Sequence, residues 1–333
     1  MLRKRVAIDL GTANSLVMVK GEGIVLNVPT VVAYSKSGKK VIAIGEEAKL
    51  MLGKSPEDIM VERPLKDGVI ASYRLTEAFV KVLIRKSLGK FSIFRPEVMV
   101  SVPAGLSSVE ERAVIEAANS AGASKIYLIP EPIAAAIGAK LPIAESSGNM
   151  IVNIGGGTTE VAIISLNGLV KFTSKRGAGD AINKAIQNYL KREYKLEIGE
   201  QMAEKLKIQI GNAVKSDNPS SMQVRGSEVN SGLPKKIDLN SNDIIEPISS
   251  VLVQIVNAIK SVLETTPPEL VSDLIDRGIA LSGGSAMIKD IDIYFTEALG
   301  VASHVVDNPL TAVVEGVCES MENIEVLRGS LKI

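Results

Sequence analysis

One motif occurs twice in this sequence, and it constrains the fold more than any other feature. Ile8-Asp9-Leu10-Gly11-Thr12 and Val152-Asn153-Ile154-Gly155-Gly156-Gly157-Thr158 each close an apolar run with Asp or Asn, an apolar residue, glycine and threonine. Positions 9 and 153 are 144 residues apart, which is too long a period for a solenoid repeat. The spacing favours a duplicated domain in which each half offers one glycine turn. Chance recurrence of a short pattern is the alternative.

The rest of the chain alternates short β-rich runs with helical runs, which is typical of an α/β fold. A length of 333 residues fits about two domains. Strands are predicted at Val6–Ile8, Ser15–Val19, Val98–Val102 and Lys125–Ile129. Helices are predicted from a capping box at Ser107 and from a long apolar stripe between Ile245 and Leu263.

Composition excludes several classes of protein. The chain has 38 basic and 38 acidic residues, which argues against a general nucleic-acid binder, so we expect no nucleic-acid partner. One cysteine, Cys318, and one histidine, His304, exclude an internal disulfide and a Cys/His zinc site. The N-terminus lacks the features of a secretory peptide, and no run of 18 apolar residues occurs. We therefore expect a cytoplasmic protein.

The glycine turns predict phosphate binding. Backbone N–H groups that no side chain covers form nests for phosphate oxygens, and the hydroxyls of Thr12 and Thr158 add donors. Asp9, at the end of a strand, suits Mg²⁺, which prefers carboxylates, waters and phosphates. A third turn, Ser282-Gly283-Gly284-Ser285, would let the backbone approach a flat base. The sequence has neither a P-loop motif nor an early G-x-G-x-x-G.

Glu131 is the best candidate for handling a water molecule. It follows a predicted strand in Ile129-Pro130-Glu131-Pro132, and a helix is predicted over 133–139 with Pro132 at its first position. A carboxylate there can orient the attacking water in phosphoryl transfer. The alternative is a helix N-terminal Glu that interacts only with the helix dipole.

An ordered series of motifs resembles the MreB/Mbl family of bacterial actin homologues, within the ATPase superfamily of actin, sugar kinases and heat-shock chaperones. The resemblance covers nearly the whole chain, and the series is far more specific than any one glycine motif. The motifs are Ile8 to Asn14, Arg63 to Ala71, Glu131-Pro132 with Ala134 to Gly138, Gly155 to Glu160, Thr266 to Leu270, Asp276 to Ile279, and Ser282-Gly283-Gly284.

The resemblance implies an α/β, actin-like ATPase fold. Two similar domains, each with a mixed sheet flanked by helices, would form four subdomains around a nucleotide cleft. Domain I would span 1–145, with a small subdomain inserted at about 33–65 and a C-terminal segment, about 316–333, returning to it. Domain II would span 146–315, with a small subdomain inserted at about 182–244.

The resemblance also implies a function. The family binds ATP or ADP with Mg²⁺ and polymerises into paired filaments on the inner face of the cell membrane. There it organises cell-wall elongation and sets rod shape. The implied partners are further copies of the chain, an anionic membrane and the proteins of the wall-elongation machinery, and the implied location is cytoplasmic, peripheral at the inner membrane face.

Site roles carry over to matching positions. Asp9 would serve Mg²⁺, and Glu131 and Thr158 would position the hydrolytic water, with Asn153 beside them. For Glu204 and Lys207, one helical turn apart, the alternative is a surface ion pair. The matching nucleotide-binding positions are Gly11, Thr12, Ala13, Asn14, Gly155, Gly156, Gly157, Thr158, Gly179, Asp180, Glu204, Lys207, Gly283, Gly284 and Ser285.

A membrane contact is predicted at Ile93 and Phe94. They match a hydrophobic pair that relatives insert into lipid, and Lys90 and Arg95 flank the segment. Apolar tips beside cations suit an anionic interface. The alternative is a buried loop anchor.

Four positions depart from the family pattern. Asn153 stands where the family has Asp, Ser285 where it has Gly, Ser72 where it has Asp, and Pro130 where it has Glu. An amide at 153 can hydrogen-bond but lacks the charge that helps to order Mg²⁺ and its waters. Hydrolysis is therefore expected to be slow even where nucleotide binding survives.

Four interpretations remain. The leading one is a filament-forming cytoskeletal ATPase, and a polymerising paralogue with weak or absent hydrolysis is its closest alternative. A monomeric chaperone ATPase would carry a substrate-binding domain, for which we expect no room after Ile333. A small-molecule kinase on the same fold would need a catalytic Asp in a substrate pocket, and the sequence nominates none.

Overall fold

A computed structural model describes residues 3–38, 40–89 and 95–331. Strands and helices alternate along it, as the sequence predicts. In chain order the strands are β1 (Arg5–Leu10), β2 (Asn14–Val19), β3 (Gly23–Pro29), β4 (Val32–Ser35), β5 (Val41–Ile44), β6 (Ile59–Glu62), β7 (Leu65–Lys66), β8 (Val69–Ile70), β9 (Glu97–Val102), β10 (Lys125–Pro130), β11 (Asn149–Ile154), β12 (Thr158–Ser165), β13 (Gly168–Arg176), β14 (Leu196–Glu197), β15 (Ser221–Glu228), β16 (Pro234–Asn240), β17 (Ile279–Ser282) and β18 (Ser303–Val305).

The helices complete the element order, and short 3-10 helices lie at Ser241–Ile244 and Gly284–Met287. The α-helices are α1 (Glu46–Leu50), α2 (Tyr73–Leu88), α3 (Ser108–Ser120), α4 (Glu131–Gly138), α5 (Gly179–Glu193), α6 (Glu200–Ile210), α7 (Ile245–Glu264), α8 (Pro268–Ser272), α9 (Leu274–Arg277), α10 (Ile291–Leu299) and α11 (Ala312–Ser320).

Two five-stranded mixed sheets form the framework. The first has the order β10-β9-β1-β2-β3, and the second has the order β13-β12-β11-β17-β18. In each sheet a central strand pairs antiparallel with the next strand along the chain and parallel with a later one: β1 with β2 and β9, and β11 with β12 and β17. The two copies of the repeated motif therefore end equivalent central strands.

Apolar side chains on both faces of these strands explain the layers. Val6 and Ile8 of β1 pack with helices α2 and α3, whereas Ala7 between them faces the opposite way. Ala7 belongs to a cluster that also contains Ile151 of β11 and the buried faces of α4 and α11. Helices α4 and α11 thus lie between the two sheets and share one core with both.

The contact between α4 and α11 is a backbone contact. A Cβ added to Gly138 would lie 1.8 Å from the carbonyl oxygen of Ala312, and one added to Gly316 would lie 1.8 Å from that of Ala134. No side chain fits at either position. α11 also packs against β1, β2 and β9 of the first sheet.

In the described part of the chain, a two-stranded sheet of β7 and β8 and two three-stranded sheets lie outside the framework. One three-stranded sheet has the order β5-β4-β6 and packs with α1, and the other has the order β14-β15-β16 and packs with α5 and α6. Their strands fall within 32–62 and 196–240. The domain and subdomain boundaries given above stay a prediction.

Most elements expected from the sequence are confirmed. Ser107 forms both halves of a capping box with Glu110 at the start of α3, and Cys318 is buried. The start of α4 was placed wrongly: the helix begins at Glu131, with Pro130 as its N-cap and Pro132 in its first turn. First-turn N–H groups have no intrahelical acceptor, so a proline there costs the helix no hydrogen bond.

One segment among the described residues, Ser241–Glu264, is long and apolar enough to cross a membrane by length and composition, with a mean hydropathy of 1.2. The sequence had predicted no such segment. Half of its most apolar stretch of 18 residues is buried inside the protein. Ile248, Leu252 and Ile259 of α7 lie in the core of the second sheet, so the segment behaves as a core helix.

The contact between α4 and α11 predicts a large effect of one methyl group. Replacing Gly316 by Ala forces two helix backbones apart in the shared core, and overpacking of this kind destabilises by about 1–3 kcal/mol or more. The measurement is the free energy of unfolding from urea denaturation. Gly329→Ala is the matched control, because a Cβ there meets nothing within 4 Å. Equal stability of the two variants would contradict the packing described.

Candidate functional site

A cleft of about 390 Å³ opens where the central strands of both sheets end. Every candidate nucleotide, metal or catalytic residue from the sequence lines it, with the exception of Gly179. Gly179 lies directly behind the lining, because a Cβ on it would be 2.6 Å from Ser285 Oγ and 2.9 Å from Lys207 Nζ. The structure therefore brings all of these residues to one place.

The two repeated turns touch each other inside the cleft. A Cβ added to Gly156 would lie 2.4 Å from the Cβ of Ala13, and one added to Gly157 would lie 2.8 Å from Thr12 Oγ1. Glycine is required here by close approach, since the φ angles of Gly156 and Gly157 are not positive. The two halves of the molecule thus meet at the turns that were predicted to hold phosphate.

Hydrogen bonds hold the carbonyl groups of the second turn against the start of α5 and the chain just before it. The carbonyl of Gly155 accepts from the N–H of Gly179 at 3.1 Å, and those of Gly156 and Gly157 accept from Asp180 and Gly177. In the part of the chain that the structure describes, no backbone carbonyl accepts from the N–H of Gly156 or Gly157. Unpaired N–H groups of successive residues form an anion-binding nest.

Asp9 and Glu131 form an acidic wall of the same cleft. Asp9 is the last residue but one of β1 and accepts a hydrogen bond from Ser101 at 2.8 Å, yet burial raises its pKa from 3.8 to about 6. Glu131, in the first turn of α4, is 8% exposed. Burial raises its pKa well above the ordinary 4.5, and the charges of Asp9 and Glu160 raise it further.

Glu160 is a carboxylate whose importance the sequence did not reveal. It was noted only as the last residue of a motif. Its side chain accepts from the N–H of Ala104 at 3.1 Å and from the hydroxyl of Ser174, and so joins β12 to the chain that follows β9. Burial outweighs these donors and raises its pKa to about 7. The pairing register of β11 and β12 would have pointed to Glu160, because Glu160 lies directly opposite Asn153 in this pair of strands.

Asn153 lines the cleft with an unsatisfied atom. The residue is 5% exposed, and its buried Oδ1 has no hydrogen-bond partner among the described residues. A buried acceptor without a donor costs about 1–3 kcal/mol, so this oxygen suits a donor that arrives with a ligand. A bound water or a hydroxyl group would satisfy it.

The donor set fits Mg²⁺ that arrives with phosphates. No group of three or more Asp, Glu, His or Cys side chains that could hold a metal is found in the described ranges. Mg²⁺ does not need such a cage, because it usually keeps several waters and takes one or two carboxylates plus phosphate oxygens. Asp9 would supply the carboxylate, and Asn153 Oδ1 would accept from a water of the hydration shell.

Charged residues of α6 form ion pairs beside the cleft. Glu204 forms an ion pair with Lys49 at 2.7 Å, and Arg63 forms one with Glu200 at 2.7 Å. The surface-pair alternative required an ion pair between Glu204 and Lys207. Glu204 pairs instead with Lys49 of α1. Lys207 instead donates to the carbonyl of Gly179 at 3.0 Å. The chain around α1 and β6 is thereby tied to α6.

The third glycine turn lines the cleft, whereas the predicted membrane contact is not described by the structure. In the third turn Gly283 has φ +88°, and a Cβ on it would lie 2.4 Å from the carbonyl oxygen of Ile154, so glycine is required there. The side chain of Ser285 donates to the carbonyl of Gly155 at 2.8 Å. Ile93 and Phe94, the predicted membrane contact, lie outside the described residues.

Comparison with known proteins decides the family. The sequence profile described as MreB/Mbl protein matches residues 3–329. The chain belongs to the MreB/Mbl family. It is 46% identical to the cell shape-determining protein MreB of Escherichia coli K12, over 99% of this chain and 97% of the relative. It is 44% identical to the cell shape-determining protein Mbl of Bacillus subtilis 168, over 98% of each.

Solved structures agree with this family. MreB 5 of Spiroplasma citri bound to AMPPNP has a TM-score of 0.92 and 34% identity, covering 98% of both chains. A MamK double helical filament has a TM-score of 0.80 at 22% identity, over 96% of this chain and 99% of that one, and shows the shared fold alone. The α/β, actin-like fold is confirmed, and the cell-shape relatives support a cytoskeletal role.

The buried carboxylates predict a stability that falls as pH rises. A carboxyl group whose pKa is higher in the folded state than in the unfolded state stabilises the fold at low pH. This contribution is complete below the unfolded pKa, near 4. It is lost as pH rises through the folded pKa values of about 6 for Asp9 and about 7 for Glu160. The free energy of unfolding of the nucleotide-free protein should therefore decrease between about pH 4 and pH 7. One pKa unit corresponds to about 1.4 kcal/mol.

Glu160→Gln tests the assignment of this pH dependence. Gln can still accept from Ala104 and donate to Ser174, but it does not titrate, so the decrease should become smaller. Glu297→Gln on the exposed face of α10 is the control and should leave the slope unchanged. An unchanged slope in Glu160→Gln would show that the dependence arises elsewhere.

Proposed function

We propose that this chain is a cytoskeletal protein that binds ATP or ADP with Mg²⁺ and polymerises into paired filaments. The proposed filaments lie at the inner, cytoplasmic face of the membrane, where they organise cell-wall elongation and set rod shape. The observation that carries the proposal is the contact of two glycine turns beside a buried acidic wall, within one cleft. The family and the AMPPNP-bound relative support it.

The nucleotide phosphates would lie between the two turns. The N–H groups of Gly156 and Gly157 face the phosphates from one side, and the turn from Gly11 to Asn14 faces them from the other. The nucleoside would extend towards Gly179, Lys207 and the third turn, with Asp180 and Glu204 nearby. Ion pairs across this end limit entry of water and exit of nucleotide.

The acidic wall would organise hydrolysis. Asp9 orients the hydration shell of Mg²⁺, and Glu131 and Thr158 position the attacking water. When bound, Mg²⁺ supplies positive charge that neutralises the phosphate oxygens. That charge also favours the ionised forms of Asp9 and Glu131, whose pKa values burial raises.

A polymerising protein with weak or absent hydrolysis is the second candidate. The observation that favours it is Asn153, a neutral amide with an unpaired oxygen among the carboxylates of the active cleft. An amide cannot attract the positive charge of a hydrated cation as a carboxylate does. Binding and assembly would survive, and turnover would be slow.

Asn153→Asp separates the two candidates. If Asn153 limits turnover, the variant should release phosphate at least about tenfold faster, a small part of the ~10²–10⁴-fold that a positioned acid or base contributes. The measurement is phosphate release with Mg-ATP at protein concentrations that support assembly. Asn218→Asp, in an exposed loop, controls for the added charge. No increase, with nucleotide affinity retained, would show that Asn153 does not limit hydrolysis.

Negative-stain electron microscopy on an anionic lipid monolayer tests assembly. With Mg-ATP, the purified protein should form paired filaments that lie on the lipid. A variant with Ile93→Ser and Phe94→Ser should form filaments in solution but not on lipid, because the proposed apolar contact is lost. Dispersed monomers despite measured ATP binding would contradict the cytoskeletal proposal. Lipid-bound filaments of the double variant would place the membrane contact elsewhere.

A further inference from the structure

One peptide group in the second turn has unusual freedom and an unusual restraint. Glycine occupies both sides of the bond between Gly155 and Gly156, so neither residue resists rotation of this peptide group. The group is planar and trans, so its carbonyl and its N–H point in opposite directions. Whatever holds the carbonyl of Gly155 therefore also fixes the direction of the N–H of Gly156.

Two donors hold that carbonyl. The N–H of Gly179 lies 3.1 Å from it and the hydroxyl of Ser285 lies 2.8 Å from it. The first donor belongs to the start of α5, and the second belongs to the third turn, 130 residues along the chain from Gly155. Ser285 is only 4% exposed, so water competes little for its hydroxyl.

The neighbouring residues leave space for this side chain. A Cβ on Gly179 would collide with Ser285 Oγ at 2.6 Å, so the hydroxyl occupies the room that Gly179 leaves free. Lys207 donates to the carbonyl of Gly179 at 3.0 Å and holds this glycine in place. The second phosphate turn, the start of α5 and the third turn are thereby joined by hydrogen bonds.

We propose that Ser285 is a positioning residue that ties the third turn to the second phosphate turn and preorganises the N–H of Gly156 for a phosphate oxygen. A free carbonyl at Gly155 could rotate towards the cleft and repel the phosphate. Fixing it before binding removes an ordering cost that the nucleotide would otherwise meet. Ser285 thus adds to the part of the affinity that depends on the phosphates. This inference rests on the proposed nucleotide binding.

Ser285→Ala tests the tether without nucleotide. Hydrogen–deuterium exchange of the nucleotide-free protein should show faster uptake at the N–H groups of Gly155 and Gly179, which donate to the carbonyls of Thr158 and Gly155. Ser87→Ala is the matched control, because Ser87 of α2 is also 4% exposed and donates to the carbonyl of Ile84 at 2.8 Å. Exchange at Gly155 and Gly179 that is unchanged in Ser285→Ala would overturn the proposal.

Nucleotide binding supplies the second measurement. In Ser285→Ala, the Kd for Mg-ADP should rise about twofold to tenfold, the range for loss of one hydrogen bond. The Kd for adenosine should change less. Equal weakening of ADP and adenosine would overturn the proposal, since it would show general damage to the site. Failure of the unchanged protein to bind ADP would instead refute the proposed function, and the exchange result would still decide the tether.

Discussion

The spacing between the two sheets depends on α4 and α11, which touch through their backbones. Gly138 and Gly316 leave no room for a side chain at the crossing, and the shared core joins both sheets to these helices. α4 begins at Glu131 inside the cleft and ends at this crossing. The position of a carboxylate in the cleft is therefore set by packing at the far end of the same helix, and the meeting of the glycine turns depends on the same layer.

The carboxylates and N–H groups of the cleft are arranged to be paired by a bound ligand and not by other groups of the protein. Burial raises the pKa values of Asp9, Glu131 and Glu160, and the charges of Asp9 and Glu160 raise that of Glu131 further. Asn153 keeps an unpaired oxygen in the same cleft. In the same cleft, the N–H groups of Gly156 and Gly157 have no backbone acceptor among the described residues. Hydrated Mg²⁺ on the acidic side and phosphate on the amide side would satisfy both at once.

The sequence could predict features that depend on neighbouring residues. The glycine turns, the strand that carries Asp9 and the capping box at Ser107 are local patterns with local causes. The start of α4 was misplaced by two residues, because either proline flanking Glu131 suits the first turn of a helix. The ion pair of Lys49 with Glu204 was not predictable, since it joins residues 155 positions apart that meet only when the cleft forms.

Two roles could not be predicted, for the same reason. Glu160 was not singled out and matters because a segment of the first half donates to it. Ser285 was among the predicted binding positions, but its contact with the carbonyl of Gly155 was not predicted. Neither contact follows from spacing or periodicity. Register across β11 and β12 placed Glu160 beside Asn153, but register itself had to be known first.

A crystal structure of this chain with Mg²⁺ and AMPPNP would test the central claim most directly. The account predicts phosphate oxygens between the turns at Gly11–Asn14 and Gly155–Thr158, in contact with the N–H of Gly156, and a hydrated metal ion beside Asp9. A nucleotide bound with its phosphates away from either turn, or a metal ion held by other residues, would contradict it.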